Sequence, residues 1–284
     1  MRQLSEWADA DPALLAEERV RDYFLYLIRD RAFAAQTLRQ ARAALTAFYV
    51  EMLGHADWKI FSTIKTKDPH KLPTVLSREE VRTLLAAVRE PRFRVCLRLI
   101  YECGLRLNEG LHIQPKDIAR ADLRLHVRLG KGAKDRCVPL SPRMLEELTW
   151  WWKQHRNLNW MFPGAGSSWK SDLRPNAQAQ SATMAERMRL ATKPMSESAL
   201  QIALAGALRD SKIKHHATIH TLRHSYATHM LEEGVSIRYV SQYLGHATLE
   251  QTLVYTHLTN VSEAQTQAAL ARLSASTRPV VPPV

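Results

Sequence analysis

Between residues 12 and 30 the apolar positions Leu14, Leu15, Val20, Phe24, Leu27 and Ile28 return at helical intervals. Asp11 before Pro12 supplies an N-cap followed by proline at the first helical position. A second helical pattern covers 34–53 and stops at Gly54. Together they predict a small all-helical module over 1–66. The lysine-rich stretch KTKDPHKLP at 65–73 carries two prolines and little apolar content, so it reads as connecting chain, and a linker is assigned to 67–76. A new unit opens at Ser77, where Ser-Arg-Glu-Glu has the form of a capping box leading a helix to about Val88. Another helix is expected over 93–103, ending at Gly104, and further ones over 142–155, 195–211, 219–233, 236–244, 248–257 and 260–273.

One region breaks the helical period. Residues 123–129 (LRLHVRL) and 136–140 (RCVPL) alternate apolar with polar, and a Gly- and Lys-rich turn, GKGAKD at 130–135, joins them. This is a β-hairpin with a basic tip. The fold class that follows is mainly α with a small antiparallel sheet, in two domains, the larger over 77–275. Residues 164–180, rich in Gly, Ser, Asn and Gln, read as a loop, and the proline-bearing tail at 276–284 cannot continue a helix.

Composition narrows the class. The 284 residues are 45% apolar, enough for one or two ordinary cores, and contain no apolar run of membrane-spanning length. The acidic N-terminus lacks the order of a secretory signal. Cys96, Cys103 and Cys137 are odd in number and widely spaced, which argues against a disulfide framework. A soluble, cytoplasmic protein is expected. Net charge is +12, of which residues 73–284 carry +11 (29 Lys+Arg against 18 Asp+Glu). That excess favours a polyanionic partner for the larger domain.

Five short segments carry candidate chemistry. They are GLRLNE at 104–109 with Arg106, the hairpin tip with Lys131, HTLRH at 220–224 with His220 and Arg223, LGH at 244–246 with His246, and TLVYTH at 252–257 with Tyr255. Two guanidiniums suit the non-bridging oxygens of a phosphodiester and stay charged at any working pH. They stabilise a charged transition state without a metal. A tyrosine hydroxyl becomes a covalent nucleophile once its proton is drawn off, and a lysine on a mobile hairpin can protonate a leaving oxygen. Histidines carry protons or donate to phosphate oxygens. The set is complete for phosphoryl transfer.

These segments resemble the tyrosine recombinase family, the integrases of phages and transposons and the Xer-type site-specific recombinases. The resemblance covers roughly residues 73–260 through G-L-R-x-x-E, G-K-G-x-K-x-R-x-V-P-L, H-x-L-R-H-x-x-A-T-H, L-G-H and T-x-x-Y-T-H. It implies Tyr255 as nucleophile, Arg106 and Arg223 as phosphate clamp, Lys131 as donor to the leaving 5′-hydroxyl, and His220 and His246 in proton transfer and phosphate binding. It also implies a 3′-phosphotyrosyl intermediate, no ATP, metal or other cofactor, a two-domain clamp on double-stranded DNA recombination sites, and a homo-tetramer during strand exchange, with accessory proteins in some systems. Cys103 and Asn108 stand where Thr and Ser are common in the family. Two alternatives remain open: a type IB-like topoisomerase, and a non-catalytic DNA-binding protein on the same fold.

Other features have plainer readings. His220 and His224 have the i, i+4 spacing of helical zinc ligands, yet Arg223 between them repels a cation and no H-E-x-x-H pattern is present. His224 and His229 read as structural or hydrogen-bonding groups. Glu109 is read as orienting Arg106 or as a plain surface residue, and Trp150, Trp151 and Trp152 as packing residues. The turn GKGAKD lacks the spacing of a nucleotide-binding loop. The segment 164–194 is expected to be an inserted loop and helix touching DNA or a neighbouring subunit, and the 260–273 helix to pack on a neighbouring protomer or on its own domain.

Overall fold

The computed structural model describes residues 1–63, 72–128, 135–164 and 183–259. The chain divides into two compact units, Met1–Lys71 and Leu72–Val284. Lys131, the hairpin tip, most of the 164–180 loop, the 260–273 helix and the tail lie outside the described residues. Among those described, no helix is long and apolar enough to cross a membrane.

The first unit is helical. Helix α1 (Arg2–Ala8) is followed by a 3-10 turn at Pro12–Leu14, which Asp11 caps by accepting from the Ala13 amide at 2.9 Å. The single helix expected over 12–30 is therefore split. Leu15 and Ala16 are extended, and α2 (Glu17–Arg29) starts afresh. The reason is tertiary: Glu17 accepts from the Ile60 amide at 2.7 Å, and the Tyr49 hydroxyl donates to Pro12 O at 2.6 Å, so both ends of the break are tied to distant chain. Helix α3 (Ala35–Thr46) widens into a π turn over Ala47–Met52, which places Tyr49 inside, and Gly54 ends the element at φ +78°. A short α4 (Ile60–Thr63) closes the unit over Val20, Phe24, Leu27, Leu45 and Tyr49.

The second unit is mainly α with one small sheet. Ser77 caps α5 (Arg78–Ala87) in the expected capping box with Glu80. Pro91 opens α6 (Pro91–Glu102), and the short α7 is Leu107–Leu111. The sheet has three antiparallel strands in the order β1 (Ile118–Ala119), β2 (Arg124–Val127), β3 (Arg136–Pro139), with Leu125 opposite Val138 and His126 opposite Cys137. Leu125 and Val127 point into the core while Arg124 and His126 face out, as period-two alternation requires. The two-residue β1 is too short to leave a sequence period. Helices α8 (Pro142–His155), α9 (Met184–Leu190), α10 (Glu197–Ser211), α11 (Ile219–Glu232), α12 (Ile237–Leu244) and α13 (Glu250–Leu253) follow. The helix expected over 248–257 is only that last single turn.

Helix α11 packs across α6 and is buried on nearly every side although half of it is polar. Several of its polar groups find partners at close range, although the buried Thr228 hydroxyl has none among the described residues. Ser225 donates to Thr221 O and accepts from the Leu76 amide, and the His229 ring meets the Tyr101 hydroxyl at 2.9 Å. A helix buried along most of its length is held rigidly, which suits a carrier of functional side chains. Where α6 ends, Gly104 takes φ +58° and a Cβ there would lie 2.4 Å from the Tyr226 ring of α11. Gly104→Ala is expected to destabilise this unit by about 2–4 kcal/mol through left-handed strain and overpacking. Urea unfolding measures it, and a loss below about 0.5 kcal/mol would contradict the close approach.

Candidate active site

The site is built around the end of α12. Its last carbonyls, orphaned as in any helix, each accept from a different guanidinium. Tyr243 O takes Arg136 Nε at 2.7 Å, Leu244 O takes Arg223 Nη2 at 2.6 Å, and Gly245 O takes Arg106 Nη2 at 3.2 Å. Gly245, at φ +63°, turns the chain there, and the negative end of the helix dipole faces three positive groups. Arg223 is 2% exposed and donates its other nitrogen, Nη1, to Gly104 O at 2.6 Å, so it bridges the ends of α6 and α12.

Glu109 ties the same three arginines together. It pairs bidentately with Arg136 at 2.8 and 2.7 Å, accepts from Arg106 Nη1 at 2.7 Å and from the Arg106 amide at 2.8 Å, and lies 3.8 Å from Arg223 Nη1. Burial alone would raise the Glu109 pKa, but the hydrogen bonds from Arg136 and Arg106 outweigh it and hold it at about 2. One carboxylate against three guanidiniums leaves a positive surplus. Burial, then the neighbouring Arg106, pushes Arg223 down to about 10, where it is still charged at neutral pH.

The expected histidines and tyrosine border this surplus. His220 keeps an exposed edge near the start of α11, while the protein crowding its ring strips away water and lowers its pKa, with Arg223 and then Arg106 adding to this. His246 follows Gly245 directly and its Nδ1 meets Thr252 Oγ1 at 2.8 Å. Burial, then Arg223 and Arg106, lowers it to about 4. Tyr255 is 3% exposed, in the turn after α13, packed among Tyr226, Ala227, Val240 and Leu244. Its ring stacks on His246 at 6.3 Å between centroids and 18° between planes. Burial raises the phenol pKa, while Arg223 and Arg106 both pull it back down. Thus Arg106, His220, Arg223, His246 and Tyr255 converge, and Lys131 falls outside the described residues.

Two groups in the site were not among the expected functional residues. Arg136 lies inside the G-K-G-x-K-x-R-x-V-P-L pattern, but nothing local signals that it reaches 27 residues back to Glu109. His224, read as structural or hydrogen-bonding, brings Nδ1 to 2.8 Å from the Tyr255 hydroxyl. Glu109, read as orienting Arg106 or its turn or as a plain surface residue, orients Arg106 and holds Arg136 as well. Of the tryptophans, Trp151 is buried and donates to Met161 O, Trp152 donates to Asn157 O, and Trp150 is exposed. Cys96 and Cys103 are buried free thiols whose pKa burial drives upward.

The pKa of Glu109 falls from 4.5 to about 2 on folding, so its stabilisation is complete above pH 5 and is lost as pH drops toward 2. The shift corresponds to about 3 kcal/mol. Glu109→Gln is expected to cost about 3–5 kcal/mol at pH 7, because three guanidiniums lose their counter-charge. It should also flatten the decline in stability between pH 5 and 3. Urea melts across that range check both, and an unchanged acid dependence would contradict the assignment.

Known proteins resemble this chain in sequence and in fold. Residues 74–261 match the phage integrase family and residues 1–59 match the phage integrase N-terminal SAM-like domain. An integrase/recombinase of Escherichia coli is 33% identical over 278 residues, covering 91% of this chain and 82% of the relative. A putative integrase/recombinase of Sinorhizobium fredii is 32% identical over 259 residues, covering 90% and 76%. Among solved structures, XerH site-specific recombinase bound to a palindromic difH substrate, in a post-cleavage complex, superposes with a TM-score of 0.68 at 20% identity, covering 93% of this chain and 75% of that one. With the integrase family matching well over half its length and these relatives covered over three quarters or more of theirs, the chain belongs to the phage integrase family of tyrosine recombinases.

Proposed function

We propose that this site-specific recombinase cuts and rejoins duplex DNA through a covalent 3′-phosphotyrosyl bond to Tyr255, without metal or ATP. The observation that carries the reading is that a phenol lies within the field of two guanidiniums, Arg106 and Arg223, in one positive cluster. The Arg106–Arg223 pair would hold the non-bridging oxygens of a phosphodiester, and the surplus charge left by Glu109 would stabilise the extra negative charge that develops at phosphorus. His220 and His246, neutral at pH 7 by the direction of their shifts, would donate to those oxygens. Tyr255 attacks phosphorus, the 5′-oxygen departs, and the bond energy stays in the tyrosyl ester for the reverse attack by a second strand.

Lys131 is assigned as donor to the departing 5′-oxygen. Support comes from the strands that flank it. β3 begins at Arg136, which is fixed to Glu109 and Tyr243 O, so the strand that follows Lys131 in the sequence starts beside the site. The +11 charge of residues 73–284 would supply phosphate contacts that set affinity and register. The partner is therefore double-stranded DNA carrying recombination sites, bound by four copies of the chain in the exchange complex, with accessory proteins where the site demands them.

The test is covalent capture. Protein is mixed with a random library of nicked duplexes, denatured in SDS, and the DNA retained on protein is sequenced to give a working site. Wild-type adducts are expected to form in EDTA and without nucleotide. Tyr255→Phe is expected to bind the selected duplex with unchanged affinity and to lower adduct formation by more than about a thousandfold. Adducts at the wild-type level from that variant would remove Tyr255 as nucleophile.

A further inference from the structure

Resting on the reading above, we infer that His224, through Nδ1, takes the proton from the Tyr255 hydroxyl as the phenol attacks phosphorus. The geometry points to this group over the others. His224 Nδ1 is 2.8 Å from the hydroxyl, with the two rings 5.5 Å apart and tilted by 48°. His246 stacks on the phenol ring, and its own Nδ1 is engaged by Thr252. Guanidiniums have no lone pair to accept a proton. His220 lies one helical turn earlier on the same face of α11, its ring edge-on to His224 at 4.5 Å, and is more exposed. The two histidines therefore divide the work by depth: His220 at the open rim toward the phosphate, His224 inside at the nucleophile.

The state of His224 fits the task. Burial, then the charges of His220 and Arg223, lowers it to about 4, so the imidazole is neutral at pH 7 with a lone pair available. The groups facing it are His220 and Arg223 from its own helix, His246 from the turn after α12 and Tyr255 from the turn after α13. A phosphodiester bound by Arg106 and Arg223 offsets their field, and the charge developing at phosphorus raises the proton affinity of His224 at the moment it is needed. The step balances. The phenolic O–H bond breaks as its proton moves to Nδ1, leaving an imidazolium, while the phenolic oxygen bonds to phosphorus. The P–O5′ bond breaks, and the 5′-oxygen takes a proton from the Lys131 ammonium. Religation returns both protons.

The experiment compares two leaving groups on the captured duplex, one with the natural 5′-bridging oxygen and one with sulfur at that position, which departs as a thiolate without a proton. Single-turnover adduct formation is measured at saturating protein, so that changes in binding do not enter. His224→Ala and His224→Gln are each expected to be slowed about a hundredfold on both duplexes, whereas the defect of Lys131→Ala is expected to disappear on the sulfur duplex. Gln keeps a polar contact to the phenol without a usable base, and it carries the test if the alanine variant fails to fold. Wild-type speed in His224→Gln would overturn the inference by reducing His224 to a holding contact. Rescue of either His224 variant by sulfur would also overturn it, by moving the defect to the leaving group. If the wild-type chain forms no adduct on any nicked duplex, the parent reading falls first and this one with it.

Discussion

A single carboxylate organises the second unit of this protein. Glu109 holds Arg136 by two hydrogen bonds and Arg106 by two more, and sits within ion-pair distance of Arg223. The same arginines are held from the other side by three successive carbonyls at the end of α12. Without these partners, three guanidiniums this close would repel one another and carry a large burial penalty. With them, the cluster is stable yet still positive, which is what a site for an anionic transition state requires. The sheet, the ends of α6 and α12 and the turn before α7 are all anchored at this point, so the fold and the site share one foundation.

The surplus charge acts on the titrating groups around it. Burial is the main cause that lowers His220, His224 and His246, and the nearby positive charge adds to it, so all three are neutral at physiological pH; the same charge opposes the effect of burial on the Tyr255 phenol. Neutral histidines can accept or donate single hydrogen bonds without adding repulsion to a pocket already rich in positive charge. Arg223 is almost wholly buried, so its position is fixed before any ligand arrives, while Arg106 keeps part of its surface free. Preorganisation of this kind avoids rearrangement during the reaction.

Much of this was legible in the sequence, and the exceptions have physical causes. Helices with a sustained apolar period and a cap, such as α5 behind Ser77 or α8 behind Ser141 and Pro142, stand where the pattern puts them. The pattern misleads where tertiary contacts override it. The break at Leu15–Ala16 follows from bonds made by Glu17 and Tyr49, and the region after Thr248 spends its residues on Thr252 and Tyr255 instead of on a long helix. Arg106, His220, Arg223, His246 and Tyr255 were readable because their residue types and spacings belong together chemically. Arg136 was not, since an ion pair across the hairpin leaves no periodic trace. His224 was readable as a structural or hydrogen-bonding group, but its partner was not, because the contact with the phenol depends on how the chain returns after α13.

The most direct test of the account is the chemical identity of the bond to DNA. Captured adducts digested with nuclease and trypsin should place a single nucleotide on the peptide running from Tyr239 to Arg272, and fragmentation should locate it on Tyr255 through a 3′-phosphate. A nucleotide found on Tyr239, Tyr243 or another peptide, or joined through its 5′-phosphate, would contradict the central claim that the guanidinium cluster presents phosphorus to the Tyr255 hydroxyl.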